Sequence, residues 1–348
     1  MPDNFLLEHI WYYSLPSCQL PKGKTYSLEI LEQPILLARR PTGEVFALKN
    51  ICPHRGVPLS YGKFDGAEIE CPYHGWRFNS TGHCTLIPAL TENPQFDLSK
   101  FAITTYPTAE HQGGIWIYMH SQKSSPTPPE PPPYVPAFPL TAQPQYLASF
   151  HFPCHIDHAV IGLMDPAHVP FVHKTWWWHN QRRLYADSKI FDPSPYGFTM
   201  RKHYLKKPNF IYSLLGKNPA VEIIFQLPGV RLETVETEKH TLCNLTVITP
   251  INKQETRVTT MFYWTNPLVS VLKPFLIPLV HTFMEQDRQM VIRQQEGLKY
   301  NPQLILIKDA DIQAIWYFQL KKEYQRAIEE NRTFQHPLVG AQVVEWRS

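Results

Sequence analysis

Two short segments of the sequence each combine one cysteine with one histidine. The first, CPHRG, starts at Cys52 and contains His54; the second, CPYHGW, starts at Cys71 and contains His74, with sixteen residues between His54 and Cys71. Two thiolates and two imidazoles are a common set of four metal ligands. A zinc finger usually pairs Cys with Cys and His with His, whereas here each segment is mixed. The spacing therefore favours a two-iron cluster in which one iron binds both cysteines and the other both histidines.

A second group of residues that could do chemistry lies in the segment DPAHVPFVH, which contains Asp165, His168 and His173. On a helix, the three-residue step keeps Asp165 and His168 on one face, whereas the five-residue step turns His173 about 140° away. Pro170 is predicted to break the helix and to bend His173 back toward His168, as two ligands of one metal require. The alternative is that Asp165 is an N-cap with Pro166 at the first helical position, and that the histidines are ordinary.

The first pair of segments resembles the Rieske motif, C-x-H-(x16)-C-x-x-H. This resemblance implies a [2Fe–2S] cluster bound by Cys52, His54, Cys71 and His74. Two neutral imidazoles in place of thiolates raise the reduction potential and couple it to protons. A zinc ribbon is the alternative. Brown protein with two acid-labile sulfides per chain would support the cluster, and colourless protein with one zinc would contradict it.

The pattern D-x-x-H-x4-H after a Rieske motif is similar to that of the alpha (oxygenase) subunits of Rieske non-haem iron oxygenases, in particular their monooxygenase and demethylase branch. The resemblance implies a mononuclear Fe(II) held by His168, His173 and a carboxylate from a late helix. In the segment MEQDR, Asp287 is the favoured third ligand and Glu285 the alternative. Two histidines and one carboxylate on one face of iron leave its other positions open.

The same resemblance assigns a catalytic role to Asp165, which is expected to accept hydrogen bonds from His168 and from His74 of a neighbouring subunit. Such a carboxylate fixes both imidazole tautomers and couples the electron to a proton. A homotrimer follows from this expectation. Many family members have Asn three residues before the aspartate, where this sequence has Gly162, so a polar contact from that position is not expected.

The activity implied by the resemblance is O2-dependent hydroxylation or oxidative demethylation of an apolar, aromatic or polycyclic small molecule, as in aromatic compound catabolism. The sequence contains no G-x-G-x-x-G fingerprint, so an NAD(P)H-dependent reductase, with a ferredoxin where the system has one, is expected as a separate partner. Monooxygenation is favoured over dioxygenation. The alternatives are a ring cis-dihydroxylating dioxygenase alpha subunit, a Rieske electron-transfer protein with a non-catalytic ligand-binding domain, and a structural zinc protein.

Proline marks a boundary between two domains. Eight of the fourteen residues from Pro126 to Pro139 are proline, which predicts an extended surface spacer. We therefore predict a Rieske domain at 1–123, a linker at 124–139 and a mononuclear iron domain at 140–348. The fold class is α+β: an all-β first domain, then a catalytic domain that combines an antiparallel sheet with helices and is helix-grip-like by resemblance.

The elements that must position these residues follow from hydrophobic patterning. Short β-rich runs separated by turn residues predict a small antiparallel sandwich in the first domain, at 25–31, 34–40, 45–50, 101–107 and 114–119. In the second domain we predict a strand at 146–152, a helical segment broken by Pro166 and Pro170, and long strands between 220 and 265. Two helices, at 283–298 and 309–330, are predicted to close the chain.

Composition restricts the remaining function classes. The chain has 348 residues, 43% hydrophobic and 18% charged, with a formal net charge of +3, which excludes wholesale disorder and disfavours nucleic-acid binding. No signal peptide is recognised, so a cytoplasmic protein is expected and the other four cysteines (Cys18, Cys84, Cys154 and Cys243) are predicted to be buried.

Apolar and aromatic stretches outside the two motifs have no assigned chemistry. The stretch 267–283 is predicted to be buried or substrate-lining; membrane contact is not favoured, and pelleting with liposomes would be needed to support it. Aromatic residues at 176–178 and 262–264 are expected to pack in the core, at a subunit interface or against a substrate.

Overall fold

The computed structural model describes residues 5–91, 97–121, 126–173, 186–205 and 210–347. Contacts divide the chain into two units: Glu8–Tyr134 forms one, and Val135–Ser348 forms the other together with Met1–Leu7. The division falls within the proline-rich stretch, in which the described residues form neither helix nor strand. The N-terminal segment joins the second unit through contacts such as that of the Phe5 ring with the Lys321 ammonium, 4.6 Å from its centre.

The first unit is built from short antiparallel strands in three sheets. Their orders are β1-β11-β10, β2-β3-β4-β9 and β5-β6-β7-β8. The strands are β1 Ile10–Pro16, β2 Thr25–Ile30, β3 Gln33–Arg39, β4 Val45–Lys49, β5 Lys63–Phe64, β6 Ile69–Glu70, β7 Arg77–Phe78, β8 Cys84–Leu86, β9 Thr105–Tyr106, β10 Thr108–His111 and β11 Gly114–Met119. The all-β architecture predicted for this part of the chain is confirmed, although the run 101–107 contributes a strand of two residues only.

One apolar core lies beneath the two cysteine-containing loops. Leu36, Ala38 and Phe46 of the β2-β3-β4-β9 sheet belong to the same buried cluster as Cys52 and Cys71. Each loop is thereby attached through its cysteine to packed hydrophobic residues, which fixes the position of the thiols.

The second unit is dominated by an eight-stranded antiparallel sheet, in the order β12-β18-β17-β16-β15-β14-β13-β19. Its strands are β12 Tyr146–Phe152, β13 Ala186–Ser194, β14 Gly197–Tyr204, β15 Ala220–Gln226, β16 Val230–Glu236, β17 Thr241–Pro250, β18 Thr256–Trp264 and β19 Gln342–Arg347. The last strand corrects our prediction that two helices close the chain, because β19 pairs with β13 and extends the sheet at its edge.

Five helices accompany this sheet in the described residues: α1 Ile156–Met164, α2 Val169–Val172, α3 Phe210–Ser213, α4 Pro267–Leu298 and α5 Ile312–Glu329. The predicted α+β class is confirmed. Helix α4 starts sixteen residues before the predicted 283, because Asn266 caps its first turn by accepting a hydrogen bond from the Leu268 amide. Pro274 and Pro278 lie inside the helix. Each removes one amide donor, and α4 continues past both.

The first half of α4 is apolar but mostly exposed. By length and composition α4 is apolar enough to cross a membrane. Only 11% of its apolar 18-residue window is buried inside the protein. Leu276, Ile277 and Val280 line a cavity, whereas Val271 and Phe275 are exposed. The prediction that 267–283 is buried or substrate-lining is compatible with the side of the helix that lines the cavity. It is wrong for the exposed side of the helix.

The four cysteines outside the paired loops differ in burial. Cys84, Cys154 and Cys243 are buried, as predicted. Cys18 is exposed, which corrects our prediction. It lies in a single 3-10 turn, Ser17–Gln19, which follows β1 and has no buried residue.

Candidate metal centres and substrate cavity

The two loops of the first unit repeat one hydrogen-bond pattern. In the first, the Cys52 amide donates to the Val57 carbonyl at 2.9 Å and the Gly56 amide donates to the Cys52 carbonyl at 2.9 Å. In the second, the Cys71 amide donates to the Trp76 carbonyl at 2.8 Å and the Gly75 amide to the Cys71 carbonyl at 3.1 Å. Each turn requires a left-handed residue four positions after its cysteine.

Glycine fills that left-handed position in both loops. Gly56 has a φ of 75° and Gly75 a φ of 71°, a backbone conformation that costs glycine little because it has no Cβ. The resulting turns bring the histidines together: the ring centres of His54 and His74 are 4.4 Å apart, and Trp76 stacks on His54 at 4.8 Å.

The chemistry of these four side chains fits an iron–sulfur cluster. Cys52 and Cys71 are each 2% exposed, whereas His54 is half-buried and His74 is exposed. Burial, together with the adjacent Cys71 thiol, raises the pKa of Cys52 to about 11, so a metal must displace protons to bind here. Two buried sulfur ligands and two imidazoles nearer the solvent match a cluster whose two irons have different ligand types.

A second group of candidate metal-site residues lies at the end of α1. Asp165 is the C-cap of α1, not an N-cap, and its Oδ1 accepts a hydrogen bond from the Ala167 amide at 2.7 Å. His168 and His173 then flank the single turn of α2 at its two ends. Pro170 lies in the first turn of α2, where its missing amide costs nothing, so the proline begins this helix instead of breaking one.

The tertiary structure brings these two histidines to Asp287 of α4. The Nε2 atoms of His168 and His173 are 3.2 Å apart, and the Asp287 Oδ1 lies 3.4 Å from the former and 3.0 Å from the latter. All three ligand atoms lie within 4.8 Å of one another. Ligands about 2.1 Å from a metal and at right angles to each other would be separated by roughly 3 Å, so this set fits one mononuclear ion.

The charged forms of His168 and Asp287 stabilise each other. Burial lowers the pKa of His168, but the carboxylates of Asp165 and Asp287 outweigh that effect and raise it to about 9. Burial raises the pKa of Asp287, and the His168 and His173 rings more than offset this, so the pKa lies below its ordinary value. A cationic and an anionic group therefore share a site that is closed to bulk water on the side of His173, whose ring is fully buried.

The two remaining acidic candidates occupy different places. The Asp165 Oδ2 lies 3.5 Å from the His168 Nδ1 without forming a hydrogen bond to it, and the side chain is 29% exposed. Glu285, our alternative ligand, accepts hydrogen bonds from Arg288 and Gln289 of its own helix, so it is engaged away from the histidine pair. At Gly162, a Cβ would meet no heavy atom within 4 Å.

Two residues that the sequence analysis missed complete the surroundings of His173. The Phe283 ring stacks on the His173 ring at 3.6 Å, and the Gln286 Oε1 lies 3.0 Å from the His173 Nδ1. Phe283, Gln286 and Asp287 share one face of α4 by their spacing of three and four residues. This spacing places them on the face of α4 that carries Asp287, but no pattern in the sequence indicates that this face meets His173.

A cavity of about 390 Å3 adjoins the triad in the second unit, and both His168 and Asp287 line it. Its floor is one face of the large sheet, to which Phe262 and Trp264 contribute, and α4 lies along its wall. Tyr263, between them, points to the other face and is fully buried. The second aromatic stretch thus divides between cavity and core, whereas 176–178 lies outside the described residues.

Paired Cys/His loops and a two-histidine, one-carboxylate triad in one chain define an iron-dependent oxidoreductase with two metal centres. Comparison with known families agrees. Residues 10–107 match the Rieske [2Fe-2S] domain and residues 152–315 match the vanillate O-demethylase oxygenase C-terminal domain. The chain therefore belongs to the Rieske non-haem iron oxygenases, which implies a [2Fe–2S] cluster and a mononuclear iron centre.

Curated relatives span several activities. Chlorophyllide a oxygenase of Arabidopsis thaliana is 27% identical over 84% of this chain and 53% of the relative. The iron–sulfur subunit of the toluene-4-sulfonate monooxygenase system of Comamonas testosteroni is 30% identical over 49% of this chain and 47% of the relative. The oxygenase subunit of 3-chlorobenzoate-3,4-dioxygenase from the same species is 32% identical over 36% and 29%. The chain spans about half of the length of the first of these and less of the others.

Solved structures show the same fold. NdmA of Pseudomonas putida CBB5 with caffeine has a TM-score of 0.71 at 18% identity and covers 92% of each chain. Dicamba monooxygenase bound to dicamba has a TM-score of 0.69 at 20% identity and covers 93% of this chain and 99% of that one. At this level of identity the similarity concerns architecture.

Proposed function

We propose that this chain is the oxygenase component of a Rieske-type system, which uses O2 and electrons from a separate NAD(P)H-dependent reductase. Its reaction is hydroxylation or oxidative demethylation of an apolar, aromatic or polycyclic small molecule. The observation that carries the proposal is the meeting of His168, His173 and Asp287 within one ligand-atom cluster at the wall of a 390 Å3 cavity. A redox carrier has no need of a metal triad that opens into a cavity.

The residues around this candidate metal centre have separate roles. When bound, iron supplies one-electron chemistry and activation of O2. His168, His173 and Asp287 would hold the metal, and the stacked Phe283 ring covers His173. The cavity holds the substrate beside the triad, and its largely apolar lining limits the access of water.

Electron supply is proposed to run between subunits. Asp165 lies beside His168 and is partly exposed, so it can accept a hydrogen bond from a histidine of another chain. By family resemblance that histidine is His74 of the next subunit in a homotrimer, which is itself exposed in the first unit. A ferredoxin between reductase and oxygenase belongs to the same proposal.

Monooxygenation is the favoured outcome because residues 152–315 match a domain named for vanillate O-demethylase. The relative named 3-chlorobenzoate-3,4-dioxygenase supports the second candidate, insertion of both oxygen atoms. The two candidates differ in the fate of the second oxygen atom, which leaves as water in a monooxygenase.

The decisive experiment combines metal analysis with turnover. Purified protein should contain about three irons and two acid-labile sulfides per chain. An electron carrier would contain about two irons, and a zinc protein none. With a surrogate reductase, O2 uptake should rise when a suitable aromatic substrate is added, and isotopic oxygen should appear once in the product. Iron-loaded protein that never couples O2 uptake to product formation would contradict the proposal.

A further inference from the structure

The floor of the cavity carries a polar patch in an otherwise apolar sheet face. The residues that form it, here called the floor patch, are Arg231 and Glu233 of β16, Asn244 and Thr246 of β17, and Thr260 of β18. Glu233 is directly opposite Asn244, Arg231 is opposite Thr246, and Thr246 is opposite Thr260. Because alternate residues of a strand share one face, the five side chains form one contiguous group.

Glu233 has both carboxylate oxygens occupied. The Tyr212 hydroxyl donates to its Oε1, and the Arg231 Nη1 donates to its Oε2 at 2.8 Å. Burial, reinforced by the Glu233 charge, raises the pKa of Tyr212 well above its ordinary value, so the hydroxyl keeps the proton that it donates. Arg231 and Glu233 also neutralise each other, which leaves the patch without net charge.

Asn244 has its acceptor occupied and its donors unused. Its Oδ1 accepts hydrogen bonds from the Thr260 hydroxyl at 2.6 Å and from the Thr246 hydroxyl at 3.4 Å. Among the described residues, the Asn244 amide nitrogen has no hydrogen-bond partner, and Arg231 has none besides Glu233. Among the described residues, the unpaired hydrogen-bonding hydrogens of the floor patch are therefore N–H groups of Asn244 and Arg231.

We infer that the floor patch binds a neutral carbonyl oxygen of the substrate, held by the Asn244 amide and the free N–H groups of Arg231. This inference rests on the proposed function and names the substrate class of that site: an apolar ring system carrying a ketone, amide, ester or quinone carbonyl. Arg231 and Asn244 are diagonal cross-strand neighbours, which are roughly 7–8 Å apart with their Cβ atoms somewhat closer, so both side chains can converge on one oxygen.

The chemistry favours a carbonyl over the alternatives. A hydrocarbon bound over the patch would remove these half-buried donors from water without pairing them, which is the situation that makes polar sites reject analogues lacking the polar atom. A carboxylate would bring a charge next to Glu233, while the Arg231 charge is already neutralised. The apolar neighbours in the same sheet rows, Ile223 and Phe225 of β15 and Phe262 of β18, suit the hydrocarbon part of the ligand.

The test is equilibrium dialysis of the iron-loaded protein, without O2, against three naphthalene derivatives. They are 2-acetylnaphthalene, 2-isopropenylnaphthalene, in which C=CH2 replaces C=O at the same shape, and 2-naphthoate. The ketone should bind about tenfold more tightly than the alkene, as one well-formed hydrogen bond predicts, and more tightly than the carboxylate. Equal binding of ketone and alkene, no measurable binding of the ketone at its solubility limit, or tightest binding of the carboxylate would overturn the inference.

Two variants test whether the floor patch causes the preference for the ketone over the alkene. Asn244→Asp keeps an acceptor for the threonine hydroxyls but replaces the donors, so the preference for the ketone should fall to within about threefold. Asn218→Asp, at an exposed turn, adds the same charge and should keep the full preference. If Asn244→Asp loses its thermal transition, Asn244→Leu replaces it. If the variant at position 244 keeps the full preference for the ketone, the inference is contradicted.

Turnover is measured separately, so the two proposals can fail independently. Coupled O2 uptake without a preference for the ketone contradicts the carbonyl site alone. A preference for the ketone in a protein that never forms product contradicts the proposed function alone.

Discussion

The ring of His173 is fixed by Gln286, whose Oε1 lies 3.0 Å from the His173 Nδ1. A glutamine oxygen can only accept, so this contact favours a His173 ring whose Nδ1 carries a proton; in its neutral form, that ring offers the Nε2 lone pair to a metal. That Nε2 is the atom which faces Asp287 at 3.0 Å. A residue next in sequence to the proposed carboxylate ligand thus selects the tautomer in which His173 can bind a metal.

Replacement of Gln286 should weaken the mononuclear site specifically. Gln286→Leu removes the acceptor and should lower Fe(II) affinity about 10–100-fold, because the tautomer and the ring orientation are no longer held. Gln286→Glu keeps an acceptor and should retain affinity close to that of the wild type. Anaerobic Fe(II) titration measures the effect, with the visible absorption of the cluster as an internal reference. Gln289→Leu, three residues further along the same helix, where the glutamine hydrogen-bonds Glu285 instead of His173, is the control and should not change the affinity.

Replacement of Asp287 and replacement of Glu285, two residues apart, should have opposite outcomes for the iron content. Asp287→Ala removes the oxygen that approaches both histidines, so the mononuclear iron should be lost while the brown cluster stays. Glu285→Ala removes contacts within α4 only and should keep about three irons per chain. Iron and sulfide analysis of both proteins decides the matter. Loss of iron in the Glu285 variant with retention in the Asp287 variant would reverse the assignment.

Asp165→Asn should separate metal content from activity. The amide removes the charge next to His168 but keeps the size of the side chain, so both metal centres should load normally. Turnover should fall at least 100-fold, because the amide cannot accept from two imidazoles and fix their protons at the same time. The measurement is single-turnover reoxidation of the reduced cluster in the presence of substrate. Asp309→Asn, at an exposed position, should reoxidise at the wild-type rate; an unchanged rate in Asp165→Asn would remove this residue from the electron path.

A buried ion pair joins α1, which precedes the metal-binding segment, to α5. Lys321 Nζ and the Tyr317 hydroxyl each donate to the Asp157 Oδ1 at 2.6 Å, and Asp157 and Lys321 are 1% and 2% exposed. Burial raises the pKa of Asp157, but His155 and Lys321 outweigh burial and hold it below its ordinary value of 3.8.

Removal of this carboxylate should destabilise the second unit. Asp157→Asn leaves the Lys321 ammonium without a counter-charge, and we expect a loss of about 3–5 kcal/mol in the free energy of unfolding. The double variant Asp157→Asn/Lys321→Met should recover at least half of that loss because no charge is left buried. Denaturant unfolding measures both, and equal stability of the single and double variants would contradict the pairing.

The same pair predicts a pH dependence. A carboxyl whose pKa is lower in the folded state binds more protons when unfolded, so its contribution is complete above pH 3.8 and is lost as the pH falls through the folded value. The stability difference between wild type and Asp157→Asn should therefore be constant near neutrality and shrink below about pH 4. A difference that stays constant down to pH 2 would show that Asp157 does not titrate with folding.

Local patterns in the sequence were sufficient to predict much of the first unit and the residue types of both candidate centres. Cys52, His54, Cys71 and His74 lie within two turns, and each turn is specified by a cysteine followed four residues later by glycine. Such turns are closed by hydrogen bonds over five residues, so their geometry is encoded where the ligands are. Asp165, His168 and His173 are likewise close in sequence.

Helix α4 could not be placed correctly from sequence alone. We predicted its start at 283, yet the helix is continuous over 32 residues and packs on β12. Strand β19 was missed for a similar reason: a short exposed segment becomes a strand because β13 offers an unpaired edge. In both elements tertiary packing outweighs local propensity.

By itself, the sequence of this protein determined which side chains are available for metal chemistry and which turns present them, because those interactions are short-range. Only the tertiary structure decided that Asp287, more than a hundred residues after His173, is the carboxylate that meets both histidines, that Gln286 orients the ring, and that Asn244 and Arg231 face the cavity with unused donors. The register of β16 against β17 and the rotation of α4 set these relationships. Both depend on packing between segments far apart in the chain, and no local pattern contains that information.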